Sequence, residues 1–192
     1  MRICVFCGSN TGRGDIYMDA AYALGELIAK KGFGLVYGGA RDGTMGATAN
    51  GAMAAGGEAI GVLPRQLFEL EQAHPALTKL HIVDSMHERK QIMHDLSDAF
   101  IAMPGGIGTM EETFEVWTWT QLGVHRKPLA FYNVNGFYDS LERFMNVMVE
   151  EGFVRPVHRQ MALTGDEPSA LIDQLMAYEP PQVKKWLTAD ER

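Results

Sequence analysis

Ala99-Phe100-Ile101-Ala102-Met103-Pro104-Gly105-Gly106-Ile107-Gly108-Thr109-Met110-Glu111-Glu112 contains the change of pattern from which the rest of the chain can be read. An apolar run ends in a proline and three glycines within five positions, then resumes ahead of an aromatic-rich stretch with helical spacing. This predicts a strand, a tight turn and a helix over about Met110 to Leu122. Glycines let the backbone approach a ligand without Cβ obstruction, and the free N–H groups and positive dipole end of a helix N-terminus attract an anion such as phosphate. A carboxylate beside a bound phosphate is electrostatically unfavourable unless it has a task, so Glu112 is the residue to explain.

The same alternation continues on both sides of this stretch. Strand-like runs fall at Ile3–Cys7, Leu35–Tyr37, Ala59–Leu63, Leu80–Val83, Ala99–Met103 and Leu129–Asn133. Between them lie helical patterns at about Ile16–Lys30, Met45–Ala55, Met86–Ser97, Met110–Leu122 and Tyr138–Glu151. Strands separated by crossovers of helical length predict an α/β fold: a Rossmann-like three-layer sandwich with a parallel sheet. The 192 residues fit a single domain on a prior of about 150 residues per domain. It is expected over residues 1–178, with 179–192 a C-terminal tail carrying Pro180-Pro181.

Composition narrows the partners. A net charge of −7 argues against nucleic acid, whose binding depends on cationic patches, and leaves small anionic ligands held by local cations. Neither a signal peptide nor an apolar stretch of membrane-spanning length is read, so the expected location is the cytoplasm, with no membrane partner. Cys4 and Cys7 have C-x-x-C spacing but fall in or at the end of the first strand. A redox pair needs a helix N-terminus to depress the thiol pKa, and a structural zinc needs a second ligand pair. The six histidines (74, 81, 87, 94, 125 and 158) give no metal signature, and neither metal nor cofactor is expected.

In such folds the ligand sits at the carboxyl ends of the strands, where four exits carry unusual chemistry and should converge. They are Cys7-Gly8-Ser9-Asn10, Gly38-Gly39 through Gly46, Asp84 to Lys90, and Pro104 to Glu112. Neither of the two early loops has the dinucleotide spacing, and the P-loop pattern ending in Gly-Lys-Ser/Thr is absent. Ser85 and Glu88 have the spacing of a capping box, whereas Arg89 and Lys90 place two cations in a first helical turn. Each opposes the macrodipole by about 0.3–1 kcal/mol, so an anion should compensate. Thr109 and Glu112 also have capping-box spacing, so two accounts of Glu112 stand together: a helix cap and a catalytic carboxylate. Phe114, Val116, Trp117 and Trp119 make the following helix apolar over much of its surface, for the core or for a second copy of the chain.

Cys7-Gly8-Ser9, Val36-Tyr37-Gly38-Gly39 with Gly43 to Gly46, Met86-His87-Glu88-Arg89-Lys90, Pro104-Gly105-Gly106-x-Gly108-Thr109-x-x-Glu112 and Thr118-Trp119-x-Gln121-Leu122-Gly123 run nearly end to end. In this set the chain resembles the LONELY GUY (LOG) proteins, phosphoribohydrolases that release cytokinin bases from their riboside 5′-monophosphates. The resemblance implies a Rossmann-like homodimer with active sites near its interface. It makes Arg89 and Glu112 the catalytic pair, gives the 5′-phosphate to Gly105, Gly106, Gly108 and Thr109, and places Glu71, Lys90 and Glu111 near the nucleotide. Gly8, Ser9 and Gly39, in the early matching motifs, are expected among the substrate contacts. Plant members often carry a threonine close to where Trp117 falls here, a departure that bears on base preference.

The chemistry fits these residues independently. Breaking an N-glycosidic bond develops positive charge at the anomeric carbon, which a carboxylate beneath the sugar stabilises while receiving a proton from the attacking water. Anchoring the phosphate orients the sugar from a distance, so a substrate without it should react poorly. Two competing readings remain. Chains of this type have been labelled lysine decarboxylase-like, which needs pyridoxal phosphate on a lysine, and Lys90 is the only one well placed. Molybdenum-cofactor carriers of related fold need the glycine loop but not the Arg89 and Glu112 pair.

Overall fold

The computed structural model describes residues 1–68 and 73–181. The first half of the chain runs β1 (Arg2–Phe6), α1 (Ile16–Lys30), β2 (Gly34–Tyr37), α2 (Gly43–Ala54), β3 (Ala59–Pro64), a single turn α3 (Arg65–Phe68) and β4 (Lys79–Val83). The second half runs α4 (Met86–Asp95), β5 (Ala99–Ala102), α5 (Ile107–Gln121), β6 (Leu129–Tyr132), α6 (Asp139–Glu150), α7 (Pro156–Arg159), β7 (Ala162–Gly165) and α8 (Pro168–Met176). The strands form one seven-stranded sheet in the order β4-β3-β2-β1-β5-β6-β7. Every paired neighbour is parallel.

Side-chain alternation along the strands divides the core into two layers. Ile3, Val5, Leu35, Tyr37 and Ile101 pack with Leu24 and Ile28 of α1, Ala49 and Ala52 of α2, and Leu171 and Leu175 of α8. Cys4, Phe6, Val36, Phe100 and Ala102 pack on the opposite face with Met93 of α4, Val116 and Trp117 of α5, and Met145 of α6. Full burial of each large apolar side chain contributes about 1.5–3 kcal/mol, so these layers stabilise the fold independently of the glycine-rich loops above them.

The order of the strands sets the position of the site. The chain lays β1 to β4 outward in one direction, then returns to place β5 on the free side of β1. The crevice above the carboxyl ends of β1 and β5 is therefore the switch point at which doubly wound sheets bind ligands. Register pairs Phe6 with Ala102, so the Gly8 and Gly105 loops leave the sheet side by side.

Six strands were expected and the sheet has seven. Ala162–Gly165 is four residues long with only Ala162 fully buried, so it lacks the apolar run that marks the inner strands. α8, also unexpected, begins where Glu167 caps the N–H groups of Ser169 and Ala170 ahead of a Pro168 start. Residues 182–192, most of the expected tail, lie outside the described residues. No described helix is long and apolar enough to cross a membrane. Cys4 and Cys7 are buried free thiols, and burial pushes the Cys7 thiol up to about 12, the opposite of the activation that a redox cysteine needs.

Candidate active site

The loop after β5 ends in Gly106, the N-cap of α5, whose backbone is extended and whose helix therefore starts at Ile107, three residues earlier than expected. The first intrahelical hydrogen bond is donated by Met110 N–H to the Gly106 carbonyl. The N–H groups of Ile107, Gly108 and Thr109 precede it with no partner among the described residues, and no acidic residue stands in this first turn. Gly106, Ile107 and Gly108 are exposed, whereas Thr109 is buried. A Cβ at Gly105 would collide with the Thr109 hydroxyl, so only glycine lets that side chain fold back over the loop.

This start revises the reading of Glu112. With Gly106 at the cap, Thr109 is the third helical residue and Glu112 lies almost a turn further in, too far along to complete a capping box with Thr109. Its side chain is 9% exposed. Burial is the main force on its acidity, opposed by Arg89, and it lifts the carboxyl pKa from 4.5 to about 7.

Arg89 is the facing cation. It sits in the first turn of α4, whose N-terminus is capped by Ser85 accepting from Glu88 N–H. Glu88 returns its own bond to Asp84 N–H, one residue before the position that a closed capping box would use. The guanidinium is buried, with Nε donating to the Val62 carbonyl at 3.1 Å and Nη2 to the Gly38 carbonyl at 3.3 Å. A Cβ at Gly38 would occupy the position of Nη2, which explains the glycine at the end of β2. Two carbonyls thus fix the plane of the guanidinium and aim Nη1 at Glu112 Oε1, 3.7 Å away. At that distance the pair is ionic without a direct hydrogen bond, which leaves both groups free to contact a ligand.

All four strand exits reach one cavity of about 470 Å³. Gly8 and Ser9, Thr44 and Met45, Met86 and Arg89, and the Pro104–Thr109 turn with Glu111 and Glu112 form its walls. Two expected contacts are placed differently, and a third falls outside the described residues. Lys90 does not line the cavity: at the fifth position of α4, just past the first turn, its ammonium donates to Glu111 at 2.5 Å and Glu115 at 3.0 Å, which supply the anions it was expected to need. Gly39 also lies outside it, held at φ +85 against Leu63 and Leu80. Glu71 lies outside the described residues. Trp117 is buried away from the cavity, donating from Nε1 to the His158 carbonyl at 2.9 Å.

Tyr17 and Phe137 also line the cavity, in edge-to-face contact with centroids 6.0 Å apart. Sequence reading passed over both, although Phe137 follows the exit of β6, the strand next to β5. The neighbouring Tyr138 hydroxyl donates to the Met103 carbonyl at 2.5 Å and pins the end of β5.

These features define a class: an α/β protein with a cavity at the switch point of a parallel sheet, where an open helix N-terminus suited to an anion stands beside a buried arginine and carboxylate. A family model described as "Possible lysine decarboxylase" matches residues 45–175. The chain is 43% identical over 183 residues to a probable cytokinin riboside 5′-monophosphate phosphoribohydrolase of Oryza sativa subsp. japonica, LOGL2, covering 95% of this chain and 75% of that protein. It is 46% identical over 162 residues to a cytokinin riboside 5′-monophosphate phosphoribohydrolase of Rhodococcoides fascians, covering 84% and 82%. Among solved structures, the molybdenum cofactor binding protein of Rippkaea orientalis superposes with a TM-score of 0.70 at 25% identity, covering 92% of this chain and 96% of that one. The chain belongs to the LOG family of cytokinin riboside 5′-monophosphate phosphoribohydrolases.

Proposed function

We propose that this protein hydrolyses the N-glycosidic bond of cytokinin riboside 5′-monophosphates, which are N6-modified AMP, and of AMP itself, releasing free base and ribose 5-phosphate. The observation that carries the reading is the buried Glu112 opposite Arg89, one and a half turns beyond an open helix N-terminus. At 1.5 Å per residue Glu112 lies about 9 Å along the axis from Gly106, a span suited to a phosphate followed by a ribose.

In this reading the N–H groups of Gly106 to Thr109 and the Thr109 hydroxyl hold the phosphate, and the helix dipole adds to the attraction. Arg89 orients Glu112 and a ribose hydroxyl. Glu112, ionised, stabilises the oxocarbenium-like sugar and takes the proton of the attacking water, and a pKa of about 7 suits it to that transfer near neutral pH. Gly8 and Ser9 close the cavity from the β1 side, and Glu111 stands at its rim. Tyr17, Met45, Met86 and Phe137, from four separate segments, give the cavity apolar walls that favour a base with an apolar N6 substituent.

The lysine decarboxylase reading fits less well. Partial burial pulls the Lys90 pKa down, but the bonds from Glu111 and Glu115 outweigh it and hold the ammonium above its ordinary value, unsuited to forming a Schiff base. The same proposal includes a cytoplasmic homodimer without nucleic-acid partners, to be tested by light scattering of the purified protein. The function is tested by incubating the protein with AMP and isopentenyladenosine monophosphate and measuring base and ribose 5-phosphate by chromatography. Equimolar products are expected, and binding without release would turn the reading toward a carrier.

A further inference from the structure

α4 meets α5 through two consecutive cations with different surroundings. Arg89 faces the cavity, whereas Lys90, its side chain 10% exposed, spans Glu111 and Glu115. Those carboxylates are four residues apart on α5 and so lie on one face, one turn above the other. A single ammonium bridging them crosses the turn that carries Glu112. Glu115, 25% exposed at its side chain, also stays outside the cavity. Without Lys90, three carboxylates within one turn of α5 would face only Arg89. With it, two cations stand against three acids.

We propose that Lys90 and Glu115, neither of which reaches the cavity, are positioning residues: they brace α5 against α4, hold Glu112 opposite Arg89 and fix the balance of charge around it. The inference rests on the hydrolase reading of Glu112. The titratable groups whose charges bear on Glu112 are Arg89 and Lys90 from α4 and Glu111 and Glu115 from its own helix, and the thiols of Cys4 and Cys7 on β1 feel its charge in turn. Beyond burial, the two cations favour the ionised carboxylate and the two acids oppose it. The two ends of the brace therefore act on Glu112 with opposite sign.

Two readouts test this. One is the pH profile of kcat/KM for base release. The other is a 13C-carboxyl NMR titration of Glu112 in glutamate-labelled protein, the resonance being assigned by its loss in Glu112→Gln. In Lys90→Met the Glu112 titration and the acid limb should rise by about one pH unit, in Glu115→Gln both should fall by about half a unit, and Lys90→Arg should restore the wild-type position. Movement of Lys90→Met and Glu115→Gln in the same direction, or of neither, overturns the inference. Should Lys90→Met fail to fold, the downward shift in Glu115→Gln decides alone. If the wild-type protein releases no base, the hydrolase reading fails while the NMR titration still reports on the brace.

Discussion

α2 and α5 begin alike. Each follows a strand that runs into glycines, and each starts at the carboxyl end of the sheet beside the crevice between β1 and β5. Their first turns nevertheless differ in how far the Gly8 loop engages them. In α2, Gly43, Thr44 and Met45 are buried, Met45 N–H donates to the Gly8 carbonyl, and the Thr44 hydroxyl accepts from Gly8 N–H at 2.9 Å. In α5 Ile107 and Gly108 are exposed and Thr109 is buried, and their N–H groups have no partner among the described residues before Met110. A glycine-rich strand exit is therefore not in itself an anion site. What separates them is the neighbouring loop: in α2 the Met45 N–H and the Thr44 hydroxyl bond to the Gly8 loop, whereas the N–H groups of Ile107, Gly108 and Thr109 have no such bond.

The largest expected effect tests whether the open helix end serves catalysis. Glu112→Gln keeps shape and burial but removes the carboxylate, and base release from AMP should fall about 10³-fold with circular dichroism unchanged. Near-normal turnover would reduce α5 to an anion site with an incidental acid. The second effect concerns stability. Because Glu112 titrates at about 7 in the fold against 4.5 ordinarily, the fold holds its proton more tightly than the unfolded chain does. Its contribution is thus fully present below about pH 4.5 and lost as pH rises through 7, a change of about 3 kcal/mol. Urea denaturation of the wild type at pH 5 and pH 8, set beside Glu112→Gln, should show this difference missing from the variant.

Smaller effects separate the two helix starts directly. Ile107 is 90% exposed at the first position of α5 and follows an extended Gly106, so Ile107→Pro suits the local backbone and deletes one open N–H. The KM for AMP should rise about tenfold or more, the weight of one hydrogen bond to a charged group. At α2, Thr44→Val breaks the contact with Gly8. It should cost about 1 kcal/mol of stability by urea denaturation, with less effect on KM than Ile107→Pro.

The inner strands were legible because burial on both faces of a parallel sheet leaves continuous apolar runs such as Ala99 to Met103. β7 was not, since a short edge strand of Ala-Leu-Thr-Gly carries no such run. The strand, turn and helix around Pro104 to Gly108 were legible, but the start of α5 was misplaced because Ile107 and Gly108 resemble loop, and the true cap, Gly106, has no side chain to mark it. That displacement also removed the capping account of Glu112. The need of Arg89 and Lys90 for anions could be read from their place in a first helical turn; the division of partners could not. It depends on Lys90 meeting Glu111 and Glu115 across the α4 to α5 contact while Arg89 is turned inward by the Val62 and Gly38 carbonyls, contacts between segments far apart in the chain.

The most direct test of the central claim, that the open end of α5 binds the phosphate while Glu112 acts on the sugar, compares kcat/KM for AMP and for adenosine in the wild type and in Ile107→Pro. The account expects AMP to be much the better substrate of the wild type, and Ile107→Pro to lose rate with AMP while leaving the slow adenosine reaction unchanged. Equal losses on both substrates, or adenosine turned over as fast as AMP by the wild type, would contradict it.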